Sequence, residues 1–326
     1  MVSSQDPVIA QVWRGGYVEC LHHGSVVITS PGGALRFAAG DASIPLLPRS
    51  SLKPLQAVAM LRHGLDVEGA ELALVGASHS GEPFHLDGVR RILDGAGLSP
   101  ADLQTTPGVP SDAVAQADWL AGGNGREPLA HNCSGKHAGM LRTCVRAGWS
   151  IESYLEADHP LQRACRDTIS ELADDPVGVP VVDGCGTPAF PLSLAGLSRA
   201  FGRLASARSG PELRVAEAFR AHPEYASGTR RDELVLHREV PGLVTKVGAE
   251  GCFAAGLADG TGVAVKAGDG DHRAAVAALV AVLAALGHDT AALRELQPEP
   301  VLGHGRPVGR VTVDPGLDAA LRAGLG

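Results

Sequence analysis

The chain has 326 residues, 44% of them hydrophobic and 20% charged, with a formal net charge of −8. That length allows one large or two modest domains around a sizeable core, and the composition excludes a disordered tail or a fibre. The 28 Lys and Arg are dispersed, so no basic surface for a phosphate backbone is built and nucleic acid is excluded as a partner.

In chain order, the apolar runs 8–13, 17–21, 25–28 and 34–38 are separated by Gly15-Gly16, His23-Gly24 and Pro31-Gly32-Gly33. They predict four strands in a short-turned antiparallel meander. After Pro48, the spacing of Leu52, Leu55, Val58 and Ala59 predicts a helix, with Ser50 and Ser51 where it begins. Residues 72–76 read as a strand, followed by the polar run Ala77-Ser78-His79-Ser80-Gly81-Glu82 and a helix over 84–93. Residues 95–127 read mostly as loop, apart from a periodic stretch at 113–120. Helices over 138–147, 161–173 and 195–207 form a helical middle, and Ser209-Gly210-Pro211 reads as a loop. Strands over 243–247, 252–257 and 262–267, a helix over 274–286 and a strand over 310–313 complete the pattern.

These elements predict an α/β protein of the α+β type, a mostly antiparallel sheet carrying helices plus a helical lobe. Strands within 1–50 and 240–315 would form the sheet lobe of a single domain, and 51–239 the helical one. The cleft between them is the natural site. With aromatics at only 4% and 42 glycines, the core must be built from Ala, Val and Leu with close backbone approaches. The apolar stretch 274–286 is too short to cross a bilayer, and residues 1–16 show no export signal. A cytoplasmic location is therefore expected, where the six cysteines act as thiols or metal ligands rather than disulfides.

Several groups could carry chemistry. Ser50-x-x-Lys53 at a helix start lets a neutral Lys53 amine take a proton from Ser50, although an N-cap serine with an exposed lysine has the same spacing. Ser78, His79, Ser80 and Glu82 follow an apolar run, where either an active-site turn or an ordinary polar turn fits. The run His131-Asn132-Cys133-Ser134-Gly135-Lys136-His137 is the densest cluster of reactive types. It reads as a helix-entry loop, a thiol nucleophile with a histidine base, or a metal site. Asp183-Gly184-Cys185 pairs a carboxylate with a thiol on a turn. Lys246 and Lys266 each interrupt an apolar strand, so each snorkels at an edge or is aimed into a site. Cys20, Cys144, Cys165 and Cys252 read as packing residues. The remaining histidines, His22, His23, His63, His222, His237, His272, His288 and His304, read as exposed, and the mixed charges of 230–239 as a solvated face.

Taken in order, Arg49-Ser50-Ser51-Leu52-Lys53-Pro54, Ala77-Ser78-His79-Ser80-Gly81-Glu82, Asn132-Cys133-Ser134-Gly135-Lys136-His137, Asp183-Gly184-Cys185 with Pro188-Ala189-Phe190-Pro191, and Lys246-Val247-Gly248-Ala249-Glu250 resemble the L-asparaginase II family of the rhizobial inducible type. The resemblance spans most of the chain. It implies an amidohydrolase that converts L-asparagine to L-aspartate and ammonia, a fold similar to serine β-lactamases and glutaminases, and a homodimer. By position it implies two Ser–Lys tandems, Ser50 with Lys53 and Ser78 with Lys246, the latter chosen over Lys266 on the Lys-Val-Gly-Ala-Glu match. Ser80 takes a supporting role. Cys133, Lys136 and Cys185 are implied as ligands of one zinc ion completed by water. Asparagine presents a carboxylate and an ammonium, for which Arg49 and Asp183 are the candidates, with His137 and Asn132 as polar lining. In this reading Ser50 attacks, Lys53 is its base, and Ser78–Lys246 relays protons. A glutaminase or β-lactamase-like acyl-enzyme hydrolase is the alternative chemistry, since glutamine differs by one methylene. An amino-acid- or zinc-binding sensor is the non-catalytic alternative.

Overall fold

A computed structural model describes residues 6–296 and 300–325, so the first five residues of the segment read for an export signal lie outside the described residues. The chain opens with β1 (Val8–Arg14), β2 (Tyr17–Thr29), β3 (Leu35–Ala39) and the short β4 (Pro45–Leu46). A single 3-10 turn, Arg49–Leu52, leads into α1 (Lys53–Arg62), then α2 (Gly69–Val75) and α3 (Pro83–Asp94). Next come α4 (Ala113–Ala121), α5 (Ser134–Ala147) and α6 (Pro160–Ala173). Three two-residue strands follow, β5 (Val181–Val182), β6 (Pro188–Ala189) and β7 (Leu192–Ser193). Behind them lie α7 (Leu194–Ser206), α8 (Gly210–Ala221), α9 (Pro223–Ala226) and α10 (Asp232–Glu239). The chain then runs through β8 (Val244–Val247), β9 (Cys252–Gly256), β10 (Gly262–Ala267) and α11 (His272–Ala285). It ends with α12 (Ala291–Glu295), β11 (Val301–Gly303), β12 (Arg306–Val313) and α13 (Pro315–Leu325).

Strands from both ends of the chain build one antiparallel sheet in the order β11-β12-β1-β2-β10-β9-β8, with β3 also paired to β2. Its two faces differ. Val27, Ala254 and Ala264 point into a core shared with α1, α2, α5, α6 and α7, while Val26, Ile28, Phe253 and Val265 pack against α11 and α13. Alternation along each strand supplies both sets at once, because successive side chains face opposite ways. Among the described residues no helix is long and apolar enough to cross a membrane.

Helix α7 lies on β9 and β10 through glycines. A Cβ on Gly262 would run into the Ser198 carbonyl, and one on Gly256 into that of Phe201. Backbone cannot move aside as a flexible side chain can. Gly262→Ala is therefore expected to cost about 1–3 kcal/mol of stability, read as a lower denaturant midpoint with unchanged slope.

Several elements depart from the sequence reading. The predicted strands 17–21 and 25–28 are one strand, because Gly24 is not a turn residue. A Cβ there would strike Lys266 O, so the glycine admits the neighbouring strand. The predicted strand 72–76 is helix α2, a short apolar run whose period does not tell helix from strand. Helix α5 begins at Ser134, four residues before the predicted start, which puts Lys136 and His137 in its first turn. Helix α8 starts within the predicted loop 209–211, α9 lies in a stretch to which the sequence reading gave no element, and α10 lies where it gave a solvated face. Two smaller assignments also change. Cys20 is exposed rather than packed, and His22 is buried with Nδ1 2.6 Å from Asp269 Oδ2.

Candidate active site

Arg49 opens the site. Its φ of 53° is left-handed, a conformation that costs a branched or long side chain on the order of 1–3 kcal/mol and is held only by its surroundings. Here the holding contact is Asp183, whose carboxylate is 2.6 Å from the Arg49 guanidinium. The two residues assigned to substrate thus bind each other. The turn they fix presents Ser50 to a cleft of about 700 Å³ that Ser78 and Asn132 also line.

Lys53 does not point at Ser50. Its buried ammonium donates to Ala77 O and Ser78 Oγ, both at 2.8 Å, and to Cys133 Sγ at 3.1 Å. Residues 49–52 form a 3-10 turn that precedes α1, and among the described residues no hydrogen bond joins Lys53 to Ser50. The Ser–Lys pair in hydrogen-bonding contact is therefore Lys53 with Ser78, and the predicted Ser50–Lys53 contact is corrected. Ser51 instead donates to Lys246 O at 3.1 Å, joining this turn to β8.

The polar run is fixed from both sides. His79 N–H donates to Asn132 O at 3.0 Å and Ser80 N–H to Ser227 O at 2.8 Å. His79 Nδ1 accepts from Gly81 N–H, so Nε2 carries the proton and donates to Ser134 Oγ at 2.8 Å. Burial pushes this imidazole well below the ordinary histidine range, aided by the nearby His85 and Lys53 charges. Ser80 Oγ also donates to Ser227 O, at 3.1 Å, a supporting contact away from the Lys53–Ser78 pair.

Lys246 is fully buried on β8, and its ammonium lies 2.5 Å from Glu233 Oε1 and 3.1 Å from Val247 O. The expected Ser78–Lys246 contact is thus replaced by a buried ion pair. Glu233 belongs to the stretch read as a solvated face, yet it is 3% exposed. Burial would raise its carboxyl, but the Lys246 and Arg231 cations hold it below the usual range. Lys266, the other lysine in question, donates to the backbone carbonyls of Glu250 and Ala267, both at 2.5 Å.

Behind Lys53 lies the sulfur cluster. Cys133, Lys136 and Cys185 are all buried, with Lys136 Nζ 3.1 Å from Cys185 Sγ and 2.7 Å from Thr187 Oγ1. The neighbouring Cys133 thiol and the Lys136 charge pull the Cys185 thiol far down despite burial, while the Cys185 sulfur and burial push up Cys133, whose Sγ donates to Asn132 Oδ1 at 3.2 Å. Burial alone would lower Lys136, but the Cys185 and Cys133 sulfurs outweigh it. His137 donates or accepts through Nδ1 at 2.7 Å from Tyr154 Oη, and among the described residues its buried Nε2 makes no hydrogen bond. Among the described residues no three His, Cys, Asp or Glu side chains converge as a ligand group. Two sulfurs and an orphaned imidazole nitrogen are nevertheless donor types that suit zinc, and lysine joins them once deprotonated.

The sequence profile of the L-asparaginase II family matches residues 10–313. The chain belongs to the L-asparaginase II family. No curated protein matches it. Among solved structures, it is similar to Mglu in its native form, at 13% identity and TM-score 0.43 over 76% of this chain and 60% of that one. It is also similar to a β-lactamase (Mb2281c) from Mycobacterium bovis, at 16% identity and TM-score 0.42, covering 80% of this chain and 94% of that one. A probable glutaminase, ybaS, follows at 14% identity and TM-score 0.38, covering 76% and 80%. The chain spans about three fifths of the length of the Mglu structure.

In this L-asparaginase II chain, the sequence reading missed Arg230, Arg231 and Glu233, and gave no role to Glu250 beyond its place in the Lys-Val-Gly-Ala-Glu run; all four border the cleft. For Glu233 a signal was present. Glu233 and Leu236 fall at i and i+3, which puts a carboxylate on the same face of α10 as a buried leucine.

Proposed function

We propose that the protein is an amidohydrolase that releases ammonia from the side-chain amide of L-asparagine to leave L-aspartate. Family membership carries the reaction class, and the 2.8 Å contact between Lys53 Nζ and Ser78 Oγ carries the mechanism. With its amine neutral, Lys53 accepts the Ser78 proton as Oγ attacks the amide carbon. The resulting ammonium returns that proton to the leaving nitrogen, the C–N bond breaks, and an aspartyl ester on Ser78 remains. Water, deprotonated by the same lysine, cleaves the ester and restores the hydroxyl. Ser50, on the same cleft, supplies a hydroxyl donor to the oxyanion.

A second reading, with Ser50 attacking, draws on the strained turn at Arg49, since strain gathers at nucleophile-bearing turns. Ammonia release from L-asparagine and L-glutamine by the purified enzyme, with Ser78→Ala and Ser50→Ala, separates the two. Ser78→Ala is expected to lower kcat by about 10³-fold or more, and Ser50→Ala by about 10²-fold. Larger loss in Ser50→Ala selects the second reading, and no release by the wild type overturns both.

Cys133, Lys136 and Cys185 would hold zinc in this reading. Bound there, the ion would supply positive charge beside the Lys53–Ser78 pair. One zinc per chain is expected on metal analysis, falling in Cys185→Ala to less than a tenth of that. The homodimer and the cytoplasmic location belong to the same proposal, checked by light scattering and by fractionation.

A further inference from the structure

Substrate recognition is the part of this reading that the geometry moves to new residues. Asparagine brings an α-carboxylate and an α-ammonium, and each needs an available partner of opposite charge. Arg49 and Asp183 are taken up by each other, Arg230 by Asp112 at 2.5 Å, and Arg273 by Asp271 at 3.0 Å. Arg231 differs. It borders the cleft, its guanidinium meets only the hydroxyls of Ser111 at 3.0 Å and Ser80 at 3.5 Å, and among the described residues no carboxylate is within ion-pair distance.

Glu233 is its counterpart two residues on. Its Oε1 accepts from Lys246 and from Val247 N–H, and Oε2 makes no hydrogen bond among the described residues although the side chain borders the cleft. A buried carboxylate with one oxygen held and one open has its direction set before any ligand arrives. His237 adds to this. Its Nδ1 donates to Glu233 O and its Nε2 accepts from Thr245 N–H, so α10 is pinned to β8. Glu233 is itself paired with Lys246, but it is the buried acid on the cleft with an open oxygen: Asp183 does not border the cleft, Asp232 is 39% exposed and Glu250 stands in solvent, where water screens their charge.

We propose that Arg231 and Glu233 recognise the α-carboxylate and the α-ammonium of the amino-acid substrate, aligning its side-chain amide with Ser78. This deepens the proposed amide hydrolysis and rests on it for the identity of the substrate. A partner lost from a site built for a charged group leaves the other group unpaired, so discrimination of about 100-fold is at stake at each end.

The test is calorimetric titration with L-aspartate, succinate, which lacks the ammonium, and β-alanine, which lacks the α-carboxylate. Wild type should bind L-aspartate about 100-fold more tightly than either. Glu233→Gln should erase the preference over succinate and keep that over β-alanine, and Arg231→Gln should do the reverse. Glu233→Asp, which keeps the charge paired with Lys246 but shortens its reach, gives the same loss if Glu233→Gln does not fold. Unchanged preferences in these variants, or loss in Glu250→Gln instead, would overturn the inference. Ammonia release from L-asparagine by wild type, run in parallel, reports on the reaction separately. Binding that follows the expected pattern without ammonia release would leave the recognition pair standing and the reaction wrong.

Discussion

Lys53→Met is expected to lower kcat/KM for L-asparagine by about 10³- to 10⁴-fold, the effect of removing a general base whose nucleophile then stays protonated. Methionine has nearly the length and volume of the buried lysine stem, so packing changes little. What is lost is the ammonium, its bond to Ser78 Oγ, and its bonds to Ala77 O and Cys133 Sγ. Steady-state ammonia release alongside a thermal melt checks the prediction. A variant that folds and retains more than about a tenth of wild-type kcat would remove Lys53 from the mechanism. An exposed-lysine reading of Ser50-x-x-Lys53 predicts that outcome, and the burial of the side chain at 2% exposure predicts the opposite.

The way this site is assembled explains what the sequence could and could not disclose. Ser50, Ser78, Asn132 and Cys133 lie in short polar runs at the ends of apolar elements, so their residue types and order mark them without coordinates. Their pairing is a different matter. Whether Lys53 reaches Ser50 or Ser78 depends on where the fold places the 77–78 segment, which residue spacing around Lys53 does not reveal. Arg49 and Asp183 have the right charges for an amino acid, but nothing in two segments 134 positions apart reveals that they meet each other. The sheet followed the same division. Alternating apolar residues announced most of the strands, whereas Gly24 looked like a turn because a glycine that admits a neighbouring strand and one that turns the chain are the same letter. Glu233 is the instructive omission. Its charged neighbours dominated the reading, although Leu236, three residues on, shares its helix face and is buried.

Lys246→Met is expected to destabilise the fold by about 3–5 kcal/mol at pH 7, because it strands the Glu233 carboxylate in the interior. In the native protein Glu233 ionises below the ordinary value of 4.5, held there against burial by Lys246 and Arg231. A depressed carboxylate contributes stability that is present above pH 4.5 and is lost as pH falls through the lower native value. In Lys246→Met the sign reverses. Desolvation without Lys246 raises the Glu233 carboxyl above its unfolded value, so the variant regains stability as the group protonates on acidification. The gap between wild type and variant should therefore be widest near neutrality and narrow toward pH 4.5. Denaturant unfolding at pH 7 and pH 5 measures it. The double variant Lys246→Met with Glu233→Gln removes both charges and should recover most of the loss, which makes the two substitutions strongly non-additive. A gap independent of pH, or a double variant no more stable than Lys246→Met, would mean that Glu233 and Lys246 are not held as an ion pair. Lys246 would then again be free to act as a base on β8, the role that its place in the Lys-Val-Gly-Ala-Glu motif first suggested.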